Sequence, residues 1–145
     1  MSDKNSIGKS GEFFAAGELE RRGFTCALTM ANTKEFDILA INKKNHKQYA
    51  IQVKTTRYKN KHWIMDKKNE NIFGDNIFYI LVSLNELDTP EFHIVPSSVL
   101  SKEIKEEHQL WLKTPGKQGQ PHKDNNRRTF RDENDIYLNK WEYIK

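Results

Sequence analysis

Tyr49-Ala50-Ile51-Gln52-Val53-Lys54-Thr55 is a run of β-branched and aromatic residues interrupted by an amide and a lysine. A strand alternates faces with period two, so Gln52 and Lys54 share one face with Ala50, while Ile51, Val53 and Thr55 take the other. A lysine inside such a strand needs polar company. Residues 36–41 supply it: Phe36-Asp37-Ile38-Leu39 reads as a neighbouring strand, joined to the first by a hairpin-like connection at 42–47. Asp37 interrupts that strand as Lys54 interrupts its own, and the hairpin sets the two side by side.

Toward the N-terminus, residues 24–30 read as a third strand of the same meander, separated from 36–41 by the polar turn 31–34. Before it lies a predicted helix over 11–22, with Ser10 as N-cap, Gly23 as the residue past its end, and Arg21 and Arg22 in the last turn. Residues 1–8 are expected as a loose arm. On a helical wheel Glu12 falls with Ala15, Ala16 and Leu19 on the core-facing stripe, opposite Glu18, Arg21 and Arg22. A carboxylate pointing inward is compensated by a cation or by hydrogen bonds. Three separate segments therefore each carry an inward polar anomaly, which fits either a buried ion network or a site.

Toward the C-terminus, residues 77–82 form a nearly continuous apolar run, as expected of a central strand covered on both faces. A shorter strand at 92–95 is stopped by Pro96, and Ser97 or Ser98 caps a helix to about Lys113 with its acidic face to solvent. Residues 114–132 read as a long loop, and the tail 136–144 carries Tyr137, Trp141 and Ile144 at helical spacing, expected to dock on the core. With no repeat and no linker, the expectation is a single domain over residues 1–145.

An apolar fraction of 36% is low, but eight Phe, five Tyr and three Trp supply enough buried area for a core. No apolar run approaches a membrane span and the first residues have no leader-like pattern, so the expectation is a cytoplasmic protein without a membrane partner. Cys26 is the sole cysteine, expected to be buried, which excludes an intramolecular disulfide and a cysteine-rich zinc site. The net charge is +4, unevenly spread: nine Lys/Arg against Asp66 between Lys43 and Lys68, and six against Asp124 between Lys113 and Arg131. Two such segments either attract a polyanion or form a solvated surface.

The residues quoted above also carry a family pattern. Gly11-Glu12, then Gly23-Phe24, Phe36-Asp37-Ile38-Leu39 and Ile51-Gln52-Val53-Lys54 together resemble the PD-(D/E)XK nuclease superfamily. The helix and its Gly-Phe ending are most similar to archaeal Holliday-junction resolvases. The likeness covers residues 9–56, with Phe36 in place of the name-giving proline and Gln52 in place of the usual acid. That resemblance implies an α/β, restriction-endonuclease-like fold, a mixed central sheet flanked by helices. It also implies a metal-dependent endodeoxyribonuclease in which Glu12, Asp37, Gln52 and Lys54 are catalytic. Mg²⁺ or Mn²⁺ would be held by Asp37, the Gln52 side-chain oxygen and the Val53 backbone carbonyl, with Glu12 a ligand or acceptor beside them. Lys54 would position water or stabilise developing charge. Gln removes one negative charge from the metal site, although Gln occurs there among relatives that include homing endonucleases. The other reading is a nuclease-fold module that binds nucleic acid or assembles without cutting. Relatives often dimerise, so a homodimer is expected.

Beside that strand, Arg57, Tyr58, Lys59, Lys61, His62 and Trp63 interleave bases with aromatics, a composition suited to phosphate contact and stacking and equally to a lysine-guarded sheet edge. Lys9 on the helix and Lys117, Lys123, Arg127 and Arg128 in the long loop are further expected contacts to DNA phosphates. Gly8-Lys9-Ser10 imitates the end of a P-loop, but the first glycine of that motif would fall on Asp3 and no strand precedes it.

Overall fold

The computed structural model describes residues 3–30 and 35–145. Helix α1, Lys4–Arg21, is followed by β1 (Phe24–Leu28), β2 (Ile38–Asn42), β3 (Gln48–Thr56), β4 (His62–Asp66) and a short 3-10 turn, Lys67–Asn71. Next come β5 (Ile77–Ser83), β6 (Glu91–Pro96), α2 (Ser97–Lys113), β7 (Arg127–Arg131) and a second 3-10 turn, Trp141–Tyr143. The five-stranded sheet has the order β1-β2-β3-β5-β6, and β4 pairs with β7 in a separate two-stranded ribbon.

The meander expected after the first helix is present: β1, β2 and β3 pair antiparallel, with Ala27 opposite Leu39 and Leu39 opposite Ala50. The apolar run becomes the central strand β5, parallel to β3 and antiparallel to β6. Parallel neighbours need a crossover. Here the connection from β3 to β5 carries β4 and the first 3-10 turn. Because β5 is covered on both faces, its alternate residues feed two cores. Phe78, Ile80 and Val82 pack with Ala15 and Leu19 of α1 and with Ile38, Ile51 and Val53. Tyr79 and Leu81 pack with Leu100 and Ile104 of α2 and with Trp63, Met65 and Phe130 of the ribbon.

Several sequence expectations shift. Helix α1 begins at Lys4, so residues 4–8 are helical rather than a loose arm. Asp3 is its N-cap, accepting from the Ser6 N–H at 3.0 Å, while the Ser10 hydroxyl donates to the Ser6 carbonyl inside the helix. Gly23 does end the helix, at φ +97°. Gly8-Lys9-Ser10 lies inside α1, which removes any P-loop there. The turn 31–34 lies outside the described residues.

The segment 114–132 is not one loop, since β7 occupies its last third; β4 was equally unforeseen. Neither Ser97 nor Ser98 caps α2, whose N-cap is Pro96 with no side-chain bond; the Ser97 hydroxyl instead bridges to Gly74. The tail docks as expected through buried Trp141 and Ile144, yet as a single 3-10 turn rather than a helix. Cys26 is only half-buried, with desolvation pushing its thiol up to about 11. Among the described residues no helix is long and apolar enough to cross a membrane.

Candidate active site

Beyond the Ile38–Ile51 pair, β2 no longer follows β3. The Asp37 N–H still donates to the Ile51 carbonyl at 2.9 Å, and its own carbonyl accepts from Thr29. At the next position the ladder bond is made by a side chain: Asp37 Oδ2 accepts from the Val53 N–H at 2.8 Å. In a strand the N–H and C=O of one residue point to the same side. The Val53 carbonyl therefore opens to the gap that β2 has vacated, with no backbone partner there among the described residues.

Helix α1 brings Glu12 to that gap. The helix can lie this close because residue 11 is glycine: a Cβ there would stand 1.8 Å from the Thr55 hydroxyl oxygen of β3. That hydroxyl is buried and has no hydrogen-bond partner. The Glu12 carboxyl lies within hydrogen-bonding reach of Asp37. Its pKa is raised, first by burial and then by the neighbouring Asp37 carboxyl, with Lys9 pulling weakly the other way.

Lys54 leaves β3 from the opposite face and is mostly buried, which lowers its pKa. Asp37 opposes that shift; Lys68 adds to it, Asp66 opposes it, and Lys4 adds again. Lys4, Asp66 and Lys68 are thus near enough to act on the site, and nothing in their sequence neighbourhood marked them. Glu12 and Asp37 accordingly meet at the gap, from α1 and the start of β2, and Lys54 at the end of β3 is near enough to Asp37 to feel its charge.

Gln52 lies on the β3 face that carries Lys54. It is buried at 6% exposure, and its side-chain oxygen accepts from Asn69 Nδ2 at 3.1 Å. Asn69, fully buried in the first 3-10 turn, also reaches the Tyr79 hydroxyl at 3.1 Å and accepts from the Asp66 N–H at 2.9 Å. Sequence reasoning missed Asn69, because a polar residue in the stretch Asp66-Lys67-Lys68-Asn69-Glu70-Asn71 looks like any surface turn.

The expected phosphate contacts divide. Lys9, Lys59, Lys117, Lys123 and Arg127 are exposed. Arg57 pairs with Glu86 at 3.2 Å and Lys61 with Asp135 at 2.7 Å, both half-exposed. Arg128 is a correction: it is buried at 5% exposure, paired with Glu70 and donating to the Asn125 and Arg127 carbonyls. Its guanidinium is structural, closing the ribbon onto the first 3-10 turn. His122 is held by the Trp111 carbonyl and stacks on the Trp111 ring, away from any partner that would make it a base.

Among the described residues no group of three His, Cys, Asp or Glu converges on a possible ion. Two neighbouring carboxylates and an open carbonyl nonetheless suit a hard divalent cation, which takes oxygen ligands and offsets the burial and the like charge of Asp37 that raise the Glu12 pKa.

No family model and no curated protein sequence matches the chain. Solved structures do. The bacterial homing endonuclease I-Ssp6803I superimposes with a TM-score of 0.59 over 99% of this chain and 92% of its own, at 12% identity. The Holliday junction resolvase Hjc of Archaeoglobus fulgidus, an archaeal hyperthermophile, superimposes with a TM-score of 0.50 over 86% and 84%, at 15% identity. The fold is the restriction-endonuclease-like one that the motif implied, a mixed five-stranded sheet between helices, and these neighbours are nucleases.

Proposed function

We propose that the protein is a metal-dependent endodeoxyribonuclease whose site is the gap between β2 and β3. The observation that carries this reading is the nearness of the Glu12 and Asp37 carboxyls beside the open Val53 carbonyl, with Lys54 close enough to Asp37 to feel its charge. Glu12, Asp37 and the Val53 carbonyl would hold Mg²⁺ or Mn²⁺, which when bound polarises a phosphoryl oxygen and acidifies nearby water.

The chain's own groups supply the rest. Asp37 is held by backbone bonds on both sides and by the Val53 N–H, so its free carboxylate oxygen keeps a fixed direction without reorganising. A cation between Glu12 and Asp37 would favour the Glu12 carboxylate, against the burial and the neighbouring Asp37 charge that raise its pKa. Lys54, kept near the gap by the negative charges of Asp37 and Asp66, places an ammonium beside the phosphate as its charge grows. Lys4, Lys9 and Lys68 extend positive charge around the gap, while Lys59, Lys117, Lys123 and Arg127 offer backbone contacts further out. In this reading the partner is DNA, met in the cytoplasm, and two copies of the chain address its two strands; light scattering showing only monomer with DNA bound removes the dimer.

A second reading keeps the fold and the nucleic acid but not the cut, and Gln52 in the acid's place favours it. Supercoiled plasmid and branched DNA incubated with Mg²⁺ or Mn²⁺ separate the two. Nicking or linearisation by the wild type, lost by at least about a hundredfold in Asp37→Ala and in Lys54→Met with melting temperatures retained, is the expected result, the scale on which one electrostatic donor acts. DNA binding without cutting by the wild type moves the assignment to the non-cutting module.

A further inference from the structure

We infer that Asn69 is a positioning residue that turns the Gln52 amide so that its amino group faces the substrate, making Gln52 a hydrogen-bond donor rather than a metal ligand. The inference rests on the nuclease reading of the gap. Its basis is a chain of hydrogen bonds that can run in only one direction. A backbone N–H only donates, so the Asn69 atom 2.9 Å from the Asp66 N–H is its oxygen. The other end of the Asn69 amide is then the amino group, and it faces both Gln52 and Tyr79 at 3.1 Å. The Tyr79 hydroxyl directs its own proton to the Ile72 carbonyl at 3.3 Å, so it meets Asn69 with a lone pair. Gln52 must likewise meet Asn69 with its oxygen. A flipped Gln52 would set two amino groups against each other inside a core where Asn69 and Tyr79 are fully buried.

The remaining end of Gln52 is its Nε2. Among the described residues that atom has no acceptor, and Gln52 keeps 6% exposure. It belongs to the face of β3 that carries Lys54, two residues and about 7 Å along the strand. Two donors thus line one face, matched to the oxygens of a phosphodiester, while Glu12, Asp37 and the Val53 carbonyl are the metal-facing oxygens. Asn69 is itself held by the Ser101 hydroxyl of α2, which donates to its carbonyl at 2.7 Å, so the orientation is set from the far core.

The test is Mn²⁺ affinity of the DNA-free protein, measured by calorimetry or electron paramagnetic resonance, for wild type, Asp37→Ala and Gln52→Met. The expected result is that Gln52→Met keeps Mn²⁺ affinity within about threefold of wild type while losing tenfold or more in DNA cleavage. A tenfold or greater loss of Mn²⁺ affinity, the scale on which metal-site groups act, makes Gln52 a ligand and overturns the inference. Should Asp37→Ala bind Mn²⁺ as well as wild type, the metal site itself is refuted and the inference with it. For Asn69, a double-mutant cycle reads the coupling: Asn69→Ala lowers kcat in the wild-type background and leaves it nearly unchanged in the Gln52→Met background. Multiplying losses mean that Asn69 does not act through Gln52. Where Asn69→Ala does not fold, the Mn²⁺ comparison with Gln52→Met still decides.

Discussion

Glu12 is half-buried on α1 with the Asp37 carboxyl against it, and burial first, then that neighbour, hold its proton more tightly than in a free glutamic acid. Between the unfolded value and this raised one, the folded state carries a proton that the unfolded chain has released. Stability from Glu12 is therefore present at low pH and lost as pH rises through its folded value. Glu12→Gln removes that loss. At pH 8 without divalent ions the variant is expected to melt a few degrees above wild type, and the gap closes at acidic pH, where wild-type Glu12 is itself neutral. Added Mg²⁺ should raise the wild type and not the variant. Melting curves across pH by scanning fluorimetry check this, and a variant less stable than wild type at pH 8 without metal contradicts it.

Two element contacts bear on the proposed site and on the frame around it. Helix α1 meets β3 through the Gly11–Thr55 approach, and the Thr55 Cβ and Cγ2 also stand within 3 Å of where a Gly11 side chain would begin. Gly11→Ala therefore pushes the helix off the strand rather than merely rotating a side chain. It is expected to cost about 1–3 kcal/mol by overpacking and to reduce cleavage more than an exposed change in the β2–β3 turn such as Lys44→Ala does, because Glu12 moves with the helix. Urea denaturation together with the plasmid assay reads both effects. The second contact is the ribbon's buried pair of Arg128 and Glu70, with side-chain exposures of 3% and 12%. Arg128→Ala strands Glu70 without its partner, and a loss of about 3–5 kcal/mol is expected, against almost none for the exposed Lys123→Ala. If Arg128→Ala instead weakens DNA binding at unchanged stability, the residue belongs among the phosphate contacts after all.

At the scale of the whole molecule, two cores share one sheet, and the C-terminal segment closes the first of them. Trp141 is buried against Phe92 with ring centroids 5.5 Å apart, and Arg22 lies over its indole at 4.7 Å. Trp141→Ala is expected to cost about 3–5 kcal/mol in denaturant unfolding while leaving cleavage at low temperature near wild type, since the proposed site is at the β2–β3 gap and not under the tail.

The sequence by itself determined the helix around Glu12, the meander, the central strand and the second helix, and it marked Glu12, Asp37 and Lys54 as inward polar positions. Local periodicity shows where an element lies and where a polar residue breaks its apolar stripe, and period is a property of the chain before it folds. Only the tertiary structure decided what pairs across long separations. Trp63 meets Phe130 in a ribbon whose second strand, Arg127-Arg128-Thr129-Phe130-Arg131, turns an arginine inward and so hides its alternation. Whether Arg128 faces solvent or Glu70, and which group donates to the Gln52 oxygen, depends on partners 58 and 17 residues away. No local pattern encodes them, because a hydrogen bond's direction is settled only when donor and acceptor are brought together.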